Sequence, residues 1–186
     1  MGTRCGDVDA GALEFLSKKE NLDFQQILQI LNQESGVLGI SNNLSSDFRE
    51  LKDAEVKYND MATLAREIFC YRVAKYIGSY AAAMNGVDNI VFTAGVGEND
   101  SDIRSQICDY LGFLGIAIDE VKNRELSDEV RISDGASRIN VLVIKTNEEL
   151  EIAREAAAVA GQIRAGQNSH GESTGSQNSP GESTAG

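Results

Sequence analysis

Twice along this chain a short run of β-branched residues gives way to a turn and then to a helix, and that repeat limits the fold more than any other feature. The first unit is Asn89-Ile90-Val91-Phe92-Thr93, the turn Ala94-Gly95-Val96-Gly97-Glu98-Asn99, and a helix predicted over residues 101–111. The second is Asn140-Val141-Leu142-Val143-Ile144, the turn Lys145-Thr146-Asn147, and a helix predicted from Glu148-Glu149 to about residue 164. Thr146 or Asn147 can cap that helix, and glutamates in a first turn suit its dipole. Units in this order predict an α/β fold with at least part of its sheet parallel. Residues 116–118 and 130–132 are weaker strand candidates.

The rest of the chain reads as helix and turn. Residues 1–11 are rich in glycine and aspartate and predict a loop, followed by a short helix over 12–19. Asp23 is a candidate N-cap for a helix over 24–32, with Phe24, Ile27, Leu28 and Leu31 on one stripe. Residues 33–47 break that pattern, and Asn42-Asn43 suit a turn with positive φ. The longest helix is predicted over 60–85. Met61, Leu64, Ala65, Ile68, Phe69, Val73, Tyr76, Ile77, Tyr80 and Met84 recur there at three and four, as a core-facing stripe does, and Gly86 ends it.

Charge and composition narrow the function classes. Of the 186 residues 29 are acidic and 17 basic, giving a formal net charge of −12. Duplex nucleic acid needs a basic face, and no Lys/Arg cluster supplies one, so a nucleic-acid partner is not expected. A small anionic substrate fits, because a few placed arginines overcome an acidic average locally. Cys5, Cys70 and Cys108 are widely spaced and the one histidine is His170, so no zinc pattern is present and reduced thiols are expected. No signal segment opens the sequence and no apolar stretch reaches membrane length, which predicts a cytoplasmic protein with no membrane partner. From Gly166 the composition changes. QNSHGESTGS is followed by QNSPGESTAG, two copies of a ten-residue unit identical at seven positions. Almost without apolar groups, residues 166–186 are predicted to be a disordered tail, leaving one folded domain over 1–165.

The two strand-to-helix turns are the strongest chemical signal, since ligands of open α/β sheets bind beyond the carboxyl ends of strands. Gly95-x-Gly97 lets a backbone approach a phosphate or nucleoside, and it serves equally as a tight turn needed only for packing. Neither G-x-x-x-x-G-K-[ST] nor G-x-G-x-x-G occurs. Glu148 and Glu149 can hold Mg²⁺ at the second turn, or simply complement a helix dipole. Arg4 lies among Gly2, Gly6, Asp7 and Asp9, free to grip a carboxylate or phosphate bidentately or to pair with Asp7. Asp47-Phe48-Arg49 combines a carboxylate, a ring and a guanidinium, a set suited to a ribose and a base, and also an ordinary helix start. Asp119-Glu120 and Asp128-Glu129 read as solvated turns.

Five segments occur in an order that resembles the acetate kinase (acetokinase) family. They are Met1-Gly2-Thr3-Arg4-Cys5-Gly6-Asp7-Val8-Asp9, Ser35-Gly36-Val37-Leu38-Gly39-Ile40-Ser41, Ser45-Ser46-Asp47-Phe48-Arg49, Phe92-Thr93-Ala94-Gly95-Val96-Gly97-Glu98-Asn99 and Thr146-Asn147-Glu148-Glu149-Leu150. The resemblance covers residues 1 to about 163. Ala10 and Lys145 stand where the family has proline, and Asn42-Asn43 where it has glycine.

The resemblance implies a ribonuclease H-like domain of the acetate and sugar kinase, Hsc70 and actin superfamily, a mixed sheet flanked by helices. It implies the carboxyl-terminal part of an enzyme that transfers the γ-phosphoryl of ATP to acetate, giving acetyl phosphate and ADP with Mg²⁺. Arg4 matches the family arginine on the transferred group. Asp47, Phe48 and Arg49 match the adenosine-side segment, and Gly95, Val96, Gly97, Glu98 and Asn99 match the nucleotide loop. Glu148 matches the magnesium-associated glutamate, with the adjacent Glu149 second. A homodimer through this domain is implied too. So is dependence on an amino-terminal domain bearing the acetate pocket, a catalytic aspartate and a histidine, without which the chain is expected to be inactive. Propionate kinase is the alternative within the class, and a non-catalytic dimerisation or regulatory module the alternative outside it.

Overall fold

The structure, a computed structural model, describes residues 1–125 and 129–171. The chain divides into two compact units, Met1–Lys145 and Thr146–Gly186. The boundary falls inside the expected 1–165 domain, at the second strand-to-helix turn.

In the first unit the helices are α1 (Ala10–Glu20), α2 (Phe24–Gln33), α3 (Gly36–Ile40), α4 (Phe48–Val56), α5 (Asp60–Ala83), α6 (Ala94–Asn99), α7 (Ser101–Asp109) and α8 (Glu120–Arg124). The strands are β1 (Asn89–Phe92), β2 (Glu129–Arg131) and β3 (Asn140–Ile144). Asp23 caps α2 as expected, closing a capping box with Gln26. Asn42 and Asn43 take φ of 57° and 60°, the turn that their side chains tolerate. α5 ends on left-handed Asn85, and the Gly86 N–H donates to the Ala81 carbonyl, which closes the helix end.

The sheet is mixed, in the order β1-β3-β2. β1 runs parallel to β3, with Ile90 opposite Val141 and Phe92 opposite Val143, while β2 is antiparallel to β3. Residues 116–118 do not form a strand; Ile118 makes a single bridge to Ser133. Ile90, Phe92, Val141 and Val143 pack with Cys70 and Ala74 of α5 and with Ile103 and Ile107 of α7 in the main core. A second cluster of Val37, Leu51, Ala62 and Ala65 joins α3 and α4 to α5. Helix α5 therefore serves both clusters, and its buried positions are Ala62, Ala65, Arg66, Cys70, Ala74 and Ala81. The expected stripe is only half right. Leu64, Tyr76, Tyr80 and Met84 are exposed, because small side chains let the helix sit close to its neighbours and turn the large ones outward.

In the second unit α9 spans Glu148–Gly171, with the Asn147 side chain accepting from the Leu150 N–H at 3.0 Å as an N-cap. The helix runs past residue 164 into the first copy of the repeat, where no proline intervenes to stop it. The expected disorder beyond Gly171 concerns residues 172–186, which lie outside the described ones, as do Leu126, Ser127 and Asp128.

Candidate functional site

Two of the segments singled out in the sequence meet in one pocket of the first unit. Ser46, Asp47, Phe48, Arg49 and Lys52 line one side of a cavity of ≈ 790 Å³, and Gly95, Val96, Asn99 and Asp100 line the other. That is ample for a small-molecule ligand.

The first wall is the start of α4. Asp47 is its N-cap, accepting from the Arg49 N–H at 2.8 Å, and its carboxylate also takes the Arg49 guanidinium at 2.7 Å. The Arg49 hydrogen bond holds the Asp47 carboxyl down to about 2, so it is ionised at neutral pH. This segment starts a helix, as one of its two readings had it, and it also faces a pocket. The Phe48 ring lies 4.5 Å from that of Phe69 and packs on both cores, which fixes it as wall rather than as a free stacking platform.

The second wall is helical where a turn was expected. Residues Ala94–Asn99 form a short helix directly after β1, entered through Ala94 at φ 58°. A non-glycine residue in that region is strained, a feature that concentrates at functional sites. Asn99 Nδ2 donates to the Gly95 carbonyl at 2.8 Å and closes the turn on itself. A Cβ at Gly95 would meet nothing within 4 Å, so no protein packing demands glycine there, whereas one at Gly97 would touch Phe92. Gly97 lines a neighbouring apolar cavity with Phe69, Val73 and Phe92.

Beneath this turn sit groups that sequence reasoning missed. Arg104 is 1% exposed; it donates to the carbonyls of Gly97 (2.8 Å) and Glu98 (3.0 Å) and to Oδ1 of Asn123 (2.8 Å). Burial draws its pKa below the usual guanidinium value. Asp100 accepts from Arg66 Nη1 at 2.7 Å and from the Ile103 N–H at 3.2 Å. The usable signal was Arg66 itself, a charge at the spacing of the Ala62, Cys70 and Ala74 stripe, where it has to be paired if buried. Cys70 and Cys108 are pushed up to about 12 by burial and offer no thiolate nucleophile.

Arg4 does not line the pocket. It is exposed, and its guanidinium makes no hydrogen bond or ion pair among the described residues. The alternative pairing with Asp7 does not occur. Asp7 instead pairs with Arg72 at 2.9 Å and accepts from the Tyr76 hydroxyl at 2.6 Å. The backbone around Arg4 is held firmly: the N–H groups of Ser35, Val37 and Leu38 donate to the carbonyls of Thr3, Met1 and Gly2, and that of Cys5 donates to Leu31. Glu148 and Glu149 belong to the first turn of α9 in the second unit, and neither carboxylate has a partner among the described residues. No three His, Cys, Asp or Glu side chains converge as a metal cage among the described residues. Mg²⁺ held by one carboxylate, water and phosphate oxygens needs none. Among the described residues no helix is long and apolar enough to cross a membrane.

Comparison with known proteins agrees with this geometry. The model of the acetokinase family matches residues 1–154. The chain is 54% identical over 164 residues to the acetate kinase of Helicobacter hepaticus, an alignment covering 88% of this chain and 41% of that protein. Among solved structures it resembles the acetate kinase of Porphyromonas gingivalis, with TM-score 0.79 and 45% identity over 86% of this chain and 40% of that one. It also resembles a propionate kinase from Francisella tularensis subsp. tularensis, with TM-score 0.76 and 41% identity over 83% and 39% of the two chains. The chain thus spans about two-fifths of the length of these relatives. Matched through both walls of the pocket and through the helix-flanked mixed sheet that carries them, this chain belongs to the acetokinase family of enzymes.

Proposed function

We propose that this chain is the carboxyl-terminal, nucleotide-handling part of a cytoplasmic phosphotransferase that moves the γ-phosphoryl of ATP onto acetate, forming acetyl phosphate and ADP. The observation that carries this reading is the pocket shared by Asp47-Phe48-Arg49 and the Gly95 turn, two segments separated by more than forty residues in sequence. An ionised Asp47 accepts hydrogen bonds from a ribose, and Gly95 leaves room for a nucleotide at the turn. Glu98 and Asn99 complete that turn, and Val96 and Gly97 give it an apolar underside.

Arg4 acts on the transferred group in this reading. Phosphoryl transfer asks the protein to place two anions together and to offset charge on the equatorial oxygens, work suited to an unpaired guanidinium on a fixed backbone. A Mg²⁺ ion, where bound, would offset phosphate charge. Glu148 is the carboxylate assigned to it, and Glu149 is second. The acetate pocket and the remaining catalytic groups are assigned to an amino-terminal domain, so the chain by itself is expected to bind nucleotide without turnover. Self-association is supported by the exposed Tyr76, Tyr80 and Met84 on one edge of α5. Propionate as acceptor is the second reading, favoured by the likeness to a propionate kinase at 41% identity.

The test is acetyl phosphate formation from ATP, Mg²⁺ and acetate or propionate by this chain mixed with a separately made amino-terminal domain of a family member. Activity only in the mixture is expected. Arg4→Ala should lower turnover at least about 100-fold, as loss of a transition-state donor does, with ADP affinity nearly unchanged. An inactive but folded complex contradicts the phosphotransferase reading, and equal loss of turnover and affinity contradicts the role of Arg4.

A further inference from the structure

Five charged side chains of alternating sign run from the outer side of α4 to the first turn of α7. Glu55 of α4 lies 2.7 Å from Arg66 Nε, close enough for charge pairing though out of line for a hydrogen bond. Arg66 of α5 reaches Asp100 with both terminal nitrogens, at 2.7 and 3.4 Å. Lys52, again on α4, places Nζ 3.4 Å from Asp100 Oδ1 and 2.7 Å from Asp102 Oδ2. Only Arg66 and Asp100 are buried; Asp102 is more than half exposed.

The position of this chain of charges gives it a role beyond stability. Lys52 lies one helical turn after Arg49, and Asp100 directly follows Asn99, so the pair links the ends of the two pocket walls. Asp102 gives Lys52 its shorter contact, at 2.7 Å, from the solvent side. Asp100 lies farther from the ammonium and shares its charge with Arg66, but its burial leaves less water to screen what attraction remains. With Arg66 in place, Asp100 stays paired even when Lys52 is lost, and the fold does not depend on the tie.

We infer that Lys52, acting through Asp100 and Asp102, is a positioning residue that holds the α4 wall and the Gly95 turn at the separation the ligand requires. This rests on the nucleotide reading of the pocket and adds to it the group that sets the pocket width. Lys52 lines the pocket, and its ammonium is engaged by two carboxylates of the same chain. It fixes where Arg49 and Asn99 stand relative to one another before the ligand arrives, a contribution of preorganisation.

The experiment compares the full chain with Lys52→Met and Lys52→Arg, by hydrogen exchange of peptides covering 46–52 and 95–100 and by calorimetric titration with ADP. In Lys52→Met, exchange of both segments should accelerate by about fivefold or more while α5 is unchanged, as for a local opening. ADP affinity should fall about tenfold with the loss of preorganisation. Lys52→Arg should restore both, since a guanidinium reaches the same two carboxylates. Unchanged exchange of both segments in Lys52→Met overturns the inference, and so does a failure of Lys52→Arg to restore them. If the unaltered chain binds no ADP, the nucleotide reading falls, and the exchange comparison alone still decides whether Lys52 ties the walls.

Discussion

Asp100 is the residue on which the pocket and the core meet. Burial by itself would raise its pKa, but the hydrogen bonds and charge of Arg66, helped by the Ile103 N–H and Lys52, outweigh burial and hold it below the ordinary carboxylate range. A carboxylate with a depressed folded pKa contributes stability above its unfolded value of about 3.9, and that contribution is lost as the pH falls through the folded value. Asp100→Asn removes one partner of a buried pair and should cost about 3 kcal/mol at pH 7. Urea unfolding of both proteins from pH 7 downward should show the gap closing as the pH drops below about 4. A gap that stays constant to pH 2 would mean that Asp100 is not the group titrating. At this scale the sequence disclosed Asp47, Phe48 and Arg49, because an acid, a ring and a base side by side are conspicuous. It hid Lys52, Asp100 and Arg104, whose side-chain hydrogen-bond partners lie 19 to 48 residues away and become visible only when α4, α5 and α7 are packed.

Among the elements, the short helix α3 is tied to the opening segment through one glycine. Gly36 has φ 63°, and a Cβ there would lie 2.1 Å from the Met1 carbonyl oxygen and under 3.0 Å from those of Gly2 and Arg4. These are backbone atoms, so no side-chain rotation relieves the clash. Gly36→Ala should cost about 1–3 kcal/mol through overpacking and backbone strain. It should also free the 1–5 segment, read as faster hydrogen exchange at Ser35, Val37 and Leu38, the donors to that segment. Protection unchanged at those three amides would show that the segment is not held through α3. Periodicity disclosed α2, α5, α7, β1 and β3, where apolar spacing is regular over several residues. It missed α3 and α6, since glycine carries a helical penalty and tertiary contacts override it in both. It also drew the buried side of α5 too wide, taking in the exposed Leu64, Tyr76, Tyr80 and Met84 and passing over Ala62, Cys70 and Ala74, because alanine and cysteine signal burial weakly by size.

For the molecule as a whole, the central claim is that one pocket, built by α4 and the turn after β1, is where this chain meets a nucleotide. The sequence supplied both walls as separate motifs, and the fold brings them together. Neither Arg4 nor Glu148 is among the residues that line that pocket; Arg4 belongs to the opening segment and Glu148 to the second unit. Their roles therefore rest on the family, while the pocket rests on geometry as well. The most direct measurement is a titration of the ¹⁵N-labelled chain with Mg²⁺ and ADP, following backbone amide shifts. The account predicts saturable shifts concentrated at residues 46–52 and 95–100. Saturable shifts confined to other surfaces, or none at millimolar ADP, would contradict it.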